Sequence, residues 1–180
     1  MNYKQRDNTC FGFPGLSVIK RATGKAPKAE EVYSFYREAG FDLKKGVPVA
    51  DAFFRKWANV PLAGVKIKAF KPLWFFQAWR YRLSPLSLYN RLKNGNFILT
   101  VRLPIELDEK GFMKCPEIKR GNTHMVALND LGEDFGMGKV ADKYLILENS
   151  WGDEWGQDGF FKIRLLDVFK CCEDVWEVEL

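Results

Sequence analysis

The sequence predicts an α+β fold, with helices in the first half of the chain and short strands in the second. Helical spacing of apolar residues dominates before residue 93, and short apolar runs separated by turn residues dominate after residue 97. This segregation is typical of the α+β class. The 180 residues, of which 47% are hydrophobic and 15% aromatic, suffice for one domain with a sizeable core.

The helical half begins with an apolar stretch from Phe11 to Arg21, which predicts a buried helix that opens just at Cys10. Pro14 is compatible with this helix because it falls in the first turn, where an amide would have no partner. A second helix is expected from Pro27 to Gly40. Two further helices and two strands complete the first hundred residues, the helices at 49–57 and 86–92 and the strands at 65–70 and 97–103.

The second half is predicted to consist mainly of strands. The apolar runs are His124–Leu128, Tyr144–Leu147, Phe160–Ile163 and Val175–Val178. Turn residues separate them, among them the cluster Asn129–Gly132, which predicts a turn. We therefore expect a helical part over residues 1–95 and a strand-rich part over residues 96–180.

Charge is distributed unevenly between the two halves. Residues 1–100 carry 18 Lys and Arg against 6 Asp and Glu, whereas residues 101–180 carry 10 against 17. Two facing lobes of opposite sign would attract each other, although two ordinary solvated surfaces explain the split equally well. No zinc-finger, RNP or phosphate-loop pattern accompanies the basic half, so nucleic acid is not the expected partner.

Composition excludes several classes of protein. The apolar content rules out disorder, and no apolar run approaches the ~18 residues of a membrane span. One histidine in the whole chain excludes a multi-histidine metal site, and no cysteine spacing fits a metal, so neither a metal nor a cofactor is expected. The N-terminus lacks the apolar core of a signal peptide. An intracellular protein is expected if the chain is complete, and a secreted, lysosomal or vacuolar one if a leader and pro-segment are missing.

Four cysteines occur in the chain. Cys10 stands far from the others, whereas Cys115 lies in the same half as Cys171 and Cys172 and could pair with either. Reduced structural thiols are the equally plausible alternative.

Three residues carry a possible chemistry. Cys10 falls at a predicted helix N-terminus, where backbone amides and the helix dipole would lower a thiol pKa and favour the reactive thiolate. His124 opens a strand, and Asn149 follows the next one. A nucleophilic cysteine needs a base, and the base needs an orienting group, so this set matches those three roles. Each residue taken alone is more often structural, as a core cysteine, a core histidine or a turn asparagine.

The segment YLILENSWGDEWGQDGFFKI at 144–163 resembles the asparagine segment of papain-like cysteine proteases, close to NSWGxxWGxxGYF. Asn149, Trp151 and Trp155 fall in register with that pattern. The run THMVAL resembles the family's HAVAL strand, and Gln5 with CFGF resembles its Q…CWAF segment. The order of Cys10, His124 and Asn149 agrees with the family. A weaker match places Gly46, Val47 and Pro48 in the segment whose backbone pairs with extended substrate.

This resemblance implies a two-lobed fold, with a helical left lobe that carries the nucleophile and a barrel-like antiparallel right lobe that carries the base. It implies that Cys10 attacks a peptide carbonyl, His124 shuttles the proton and Asn149 orients the imidazole. Trp151 would shield the pair and Trp155 would line the leaving-group side. The side-chain amide of Gln5 would join the Cys10 backbone amide in the oxyanion hole. The partner would be a peptide or protein substrate, and a monomer is expected.

The chain departs from the family pattern near the nucleophile. The family's CGSCW segment is DNTCF here, so Asp7 replaces a disulfide cysteine, and Gln5 stands one residue closer to Cys10 than usual. An extra loop from Asp130 to Lys143 lengthens the interval between His124 and Asn149. Two alternatives to a peptidase therefore stay open: a papain-like fold with weak or no catalysis that binds peptides, and an acyl transferase with the same three residues.

Overall fold

A six-stranded antiparallel sheet forms the centre of the protein, with helices packed against it. The computed structural model describes residues 4, 5, 7–45, 47, 50–58, 60–74, 84–116, 122–136 and 138–180. Its helices are α1 (Phe13–Thr23), α2 (Ala29–Glu38), α3 (Ala50–Trp57), α4 (Pro85–Leu92) and α5 (Val168–Cys171). Its strands are β1 (Pro61–Leu62), β2 (Val65–Lys66), β3 (Ala69–Trp74), β4 (Phe97–Arg102), β5 (Glu106–Leu107), β6 (Met113–Lys114), β7 (Thr123–Glu133), β8 (Lys143–Glu148), β9 (Phe160–Arg164) and β10 (Cys172–Glu179).

The order of the strands in the large sheet is β3-β10-β4-β7-β8-β9, and every pairing is antiparallel. The short strands form two separate hairpins, β1 with β2 and β5 with β6. The α+β prediction is confirmed, because three helices precede the sheet strands and most of the sheet is built from the second half of the chain. No helix in the described ranges is long and apolar enough to cross a membrane.

Alternating residues of the central strands divide the interior into two cores. On β4 and β7, Ile98 and Met125 belong to the core under α1, α2 and α3. Their neighbours Leu99 and Val126 belong to the core that α4 and α5 cover. Because side chains of a strand point alternately to the two faces of the sheet, one sheet serves both cores. The division of the chain near residue 95 stays a prediction.

Helix α1 is positioned by tight packing at its N-terminal end. Pro14 lies in the first turn, as predicted, and the helix ends at Gly24, whose φ of 71° is in the left-handed region. Gly15 faces the indole of Trp57 so closely that a Cβ would lie 2.3 Å from Trp57 Cη2. The fully buried rings of Phe13 and Trp57 therefore fix the height and rotation of the helix that follows Cys10.

Two predicted elements differ in the structure. The single strand expected over 65–70 is divided into β2, which pairs with β1, and β3, which pairs with β10. The turn expected at Asn129–Gly132 is instead part of β7, which continues to Glu133 with a bulge between Leu128 and Asp130. In both cases a partner strand elsewhere in the chain overrides the local preference.

A disulfide joins Cys115 to Cys171. The structure thus selects Cys171 of the two partners left open by the sequence. It leaves Cys10 and Cys172 as free thiols. The bond ties the segment after β6 to α5, on the core that lies away from the first three helices.

Candidate active site

His124 and Asn149 form a buried hydrogen-bonded pair. His124 Nε2 lies 2.7 Å from Asn149 Oδ1, and the two residues are only 4% and 1% exposed. The Ser150 amide donates to the same Asn149 oxygen at 2.7 Å. Because this fixes Oδ1 as an acceptor, the His124 Nε2 atom carries the proton. The Nδ1 atom is therefore the ring nitrogen that can accept a proton.

The backbone around Asn149 holds its side chain in place. The Asn149 amide donates to the Gly159 carbonyl at 2.9 Å, which closes the turn between β8 and β9. Gly152, Gly156 and Gly159 all have positive φ, so this turn uses the glycines of the NSWG…WG…G pattern where the backbone needs them. The Asn149 Nδ2 atom has no hydrogen-bond partner among the residues that the structure describes. The asparagine thus serves the imidazole through its oxygen.

An aromatic stack covers the pair. The Trp151 ring lies 4.7 Å from the His124 ring between centroids, Trp155 packs edge-on against Trp151 at 5.0 Å, and Phe161 continues the stack at 5.6 Å. Burial lowers the pKa of His124 from 6.5 to about 4, and the bond to Asn149 opposes part of this shift. The imidazole is therefore neutral at neutral pH.

Cys10 lies in the turn just before α1 and is half-buried. Its thiol faces the amide of Met125, the residue that follows His124 in β7. This edge of β7 is available because pairing with β8 begins only at Ala127. The structure thus brings Cys10 next to His124 through Met125, and in the described part of the chain no hydrogen bond joins the sulfur directly to the imidazole.

The thiol pKa differs from the sequence-based expectation. Burial raises the pKa of Cys10, and the amides of Met125 and of Cys10 itself offset this only in part. The expectation that the helix N-terminus lowers this pKa is therefore wrong for the ligand-free chain. Its physical reason is desolvation, which the sequence does not display because the thiol is buried against a distant segment, at Met125 of β7.

Gln5 is tied to the loop that carries Asn149. The Gln5 amide donates to the Ser150 carbonyl at 2.8 Å, and the Ser150 hydroxyl donates to Gln5 Oε1. The Gln5 Nε2 atom donates to the Asp7 carbonyl at 3.1 Å. Gln5 therefore lies at the site, and one of the two N–H groups of its Nε2 atom is bonded to the Asp7 carbonyl.

The remaining predicted site residues are placed as follows. Val47 is half-buried against the helical core, whereas Gly46 and Pro48 lie outside the described residues. Trp155 packs against the strand-rich core as well as against Trp151. Within the ranges that the structure describes, no group of His, Cys, Asp and Glu side chains could hold a metal ion.

Two contacts at the site were not predicted from sequence. The Ser150 hydroxyl holds Gln5, and the position of Ser150 directly after Asn149 was a signal that could have suggested it. The Met125 amide contacts the thiol through its backbone, so its side-chain identity gave no indication.

Comparisons with known proteins indicate the family and the fold that this chain resembles. Residues 104–173 match the family model described as "Papain family cysteine protease". The "Probable cysteine protease RD19B" of Arabidopsis thaliana is 35% identical over 77 residues, which is 41% of this chain and 21% of that protein. Digestive procathepsin L 3 from the larval midgut of Tenebrio molitor has a similar fold, with a TM-score of 0.61 at 14% identity over 96% of this chain. The chain spans 62% of that procathepsin and about a fifth of the Arabidopsis protein.

Proposed function

We propose that the chain is a divergent member of the papain-like cysteine protease family and a cysteine-type peptidase whose nucleophile is Cys10. The observation that carries the proposal is the buried pair of His124 and Asn149, joined at 2.7 Å under Trp151. The Cys10 thiol faces the backbone amide of Met125, the residue that follows His124 in β7. The substrate would be a peptide or protein, and endopeptidase cleavage is the form we propose.

The chemistry starts from a neutral thiol and a neutral imidazole. His124 Nδ1 accepts the thiol proton, and the resulting thiolate attacks the scissile carbonyl carbon to form a tetrahedral intermediate. The His124 Nε2–H stays bonded to Asn149, which orients the imidazolium. The imidazolium then protonates the leaving amine as the C–N bond breaks. A water molecule gives its proton to His124 and hydrolyses the thioester, which releases the acid and restores the thiol.

The oxyanion of the tetrahedral intermediate needs hydrogen-bond donors close to the turn that precedes α1. The Cys10 backbone amide is one donor, and the Gln5 side-chain amide is the second. Because Gln5 Nε2 bonds to the Asp7 carbonyl at rest, we propose that substrate binding displaces it from that carbonyl. Catalytic contacts often form fully only when substrate is bound, so a resting geometry of this kind is compatible with activity.

We also propose that residues 1–95 and 96–180 act as the two lobes of one peptidase domain, with substrate bound between them. Support comes from the two cores on opposite faces of the sheet. Strand β3 belongs to the first range and pairs with β10 of the second, so the lobes share the sheet. A monomer is proposed as the working form.

Cleavage of a peptide library followed by mass spectrometry tests the proposal. The unaltered chain is expected to cleave peptides, and Cys10→Ser is expected to lower kcat/KM by about 10³-fold or more. Cys172→Ala is the matched control, because this other free thiol lies on β10, which β4 separates from the strand of His124, and its loss should leave kcat/KM unchanged.

Two outcomes would contradict the peptidase. Saturable peptide binding without cleavage would instead support a binding module. Transfer of the acyl group to an added amine, with little free acid formed, would support a transferase. Equal cleavage by the Cys10→Ser chain would remove Cys10 from the mechanism.

A further inference from the structure

A cavity lies between the last turn of α1 and the outer part of β7. Its volume is about 330 Å³, which is at the lower end of the range for sites that bind small ligands. Helix α1 contributes Arg21, the end of α4 contributes Tyr89 and Lys93, and β7 contributes Asn129 and Asp130. Because α1 is 11 residues long, about 16 Å of helix separates this cavity from the turn before α1, where the proposed nucleophile lies.

Two positive side chains line this cavity without a carboxylate in contact with them. In the described part of the chain, no hydrogen bond or ion pair involves the guanidinium of Arg21 or the ammonium of Lys93, which lies 5.3 Å from the centroid of the Tyr89 ring. Although Arg21 is exposed, burial by neighbouring atoms lowers its pKa, and the charges of Glu148 and Asp130 oppose this shift. A guanidinium that is partly desolvated but still charged favours an anionic partner.

The acidic groups of this region are engaged in other contacts. Asp130 Oδ1 accepts a hydrogen bond from the Leu131 amide at 2.7 Å, and Glu133 forms an ion pair with Lys143 at 2.7 Å. Since Asp130 also lines the cavity, the charges of its lining side chains sum to one positive charge. This sum suits a single carboxylate better than a phosphate, whose second negative charge would be repelled by Asp130.

The strand beside the cavity carries groups that can bind a peptide. Pairing of β4 with β7 ends at Ala127, and the register of β7 with β8 passes over Asn129 at the bulge. Within the described strands, Asn129 therefore has no partner residue on either side. Its side-chain amide has donors and an acceptor, as a peptide group does, and an arginine can bind a carboxylate through two parallel N–H groups.

We propose that this cavity binds the C-terminal end of a peptide, with the terminal carboxylate held by Arg21 and Lys93 and the preceding peptide group held by Asn129. The proposal goes beyond the proposed peptidase and assigns no role to the thiol of Cys10. A peptide bound in this way would bridge the helix that follows Cys10 and the strand that contains His124.

A titration of the full chain with acetyl-alanyl-alanine, followed by the NMR shifts of backbone amides, tests the proposal. We expect saturable shifts at Asn129 and Asp130, and at least about tenfold weaker binding of the same dipeptide with a C-terminal amide, because it lacks the charge. Arg21→Gln should weaken binding of the acid about tenfold and Lys93→Gln about threefold. Arg37→Gln is the matched control, because Arg37 occupies the last turn of α2 and lies outside the cavity, so its loss should leave the affinity unchanged.

Equal affinity for the acid and the amide would overturn the proposal, as would an Arg21→Gln chain that binds the acid as tightly as the wild type. Tighter binding of inorganic phosphate than of the dipeptide would overturn the assignment of a peptide carboxylate. Arg21 and Lys93 are both exposed, so their substitution is compatible with folding. The titration needs no turnover, so a chain that binds the acid but cleaves no peptide contradicts only the proposed peptidase.

Discussion

His124 owes its unusual ionisation to two opposing contacts. Burial under Trp151 disfavours the imidazolium, whereas the Asn149 oxygen favours it, and the pKa settles at about 4. Because His124 is the one histidine of the chain, its ring gives a single ¹³C-labelled imidazole signal in an NMR titration. We expect that signal to titrate near pH 4.

Two substitutions should move this pKa in opposite directions. Asn149→Ala removes the bond that stabilises the charged ring and should lower the His124 pKa further, while Trp151→Ala admits water and should raise it towards 6.5. The NMR titration of both variants checks this. Shifts of the same sign in the two variants would contradict the assignment of burial as the larger cause.

The same pKa predicts how stability depends on pH. The folded chain binds a proton at His124 only below about pH 4, whereas the unfolded chain binds one below about 6.5, so acidification through this window favours unfolding. The contribution reaches about 3 kcal/mol at the acid end. Denaturant unfolding of wild type and His124→Gln should show it as a difference that grows between pH 6.5 and 4. A pH-independent difference would show that the ring is solvated.

At the residue scale the sequence predicted the candidate side chains but not their state. The order of Cys10, His124 and Asn149 and the run NSWG named the candidates, the structure pairs His124 with Asn149 and places the Cys10 thiol against the Met125 amide, and their catalytic roles stay a prediction. The pKa of the Cys10 thiol depends on burial by segments that are distant in the sequence. The bond from Gln5 to Asp7 accompanies an interval between Gln5 and Cys10 that is one residue shorter than in the family pattern. Local patterns contain neither quantity.

At the scale of elements, Gly15 shows how α1 is held. Alanine is the better helix former by about 1 kcal/mol, yet its Cβ would lie 2.3 Å from the fully buried Trp57 indole. We expect Gly15→Ala to lower the free energy of unfolding by about 1–3 kcal/mol, measured by urea denaturation. In a Trp57→Leu background the same change should cost less, because the smaller side chain makes room. Equal costs in both backgrounds would exclude the indole as the cause.

Helices were easier to predict than strands because their signals are local. The first-turn Pro14 and the closing Gly24 mark α1 in the sequence itself. Strand boundaries depend on the strands that pair with them. The alternating run at 65–70 is therefore divided into one strand that pairs with β1 and another that pairs with β10, and the polar run after Leu128 continues β7 because it pairs with β8. Turn-forming residues on a paired, half-exposed edge simply continue the ladder with a bulge.

At the scale of the whole molecule, the disulfide between Cys115 and Cys171 closes a loop across 56 positions of sequence. Chain entropy predicts that its loss lowers the free energy of unfolding by about 4 kcal/mol. Denaturation of the Cys115→Ser, Cys171→Ser double variant checks this, with Cys172→Ala as the control that keeps the bond. A native protein with four titratable thiols under non-reducing conditions would contradict the pairing.

The charge split predicted from sequence has a partial counterpart in the structure. Lys71 and Arg91 of the basic half form ion pairs with Glu179 and Glu177 of β10. These pairs are largely exposed on the basic side, so they contribute little to stability. The pair of Lys71 with Glu179 instead favours the correct register of β10 against β3, because these opposite charges lie on adjacent strands.

The position of β10 in the sheet sets an order for folding during synthesis. Val178 pairs with Phe70 on one side, and Trp176 pairs with Ile98 on the other, so β3 and β4 are joined only through a strand that leaves the ribosome much later. Until then β3 has an unpaired edge, which is a surface prone to aggregation. The helical core also receives Trp176 and Val178 from this strand. The half of the molecule that carries Cys10 therefore cannot mature on the ribosome ahead of the half that carries His124.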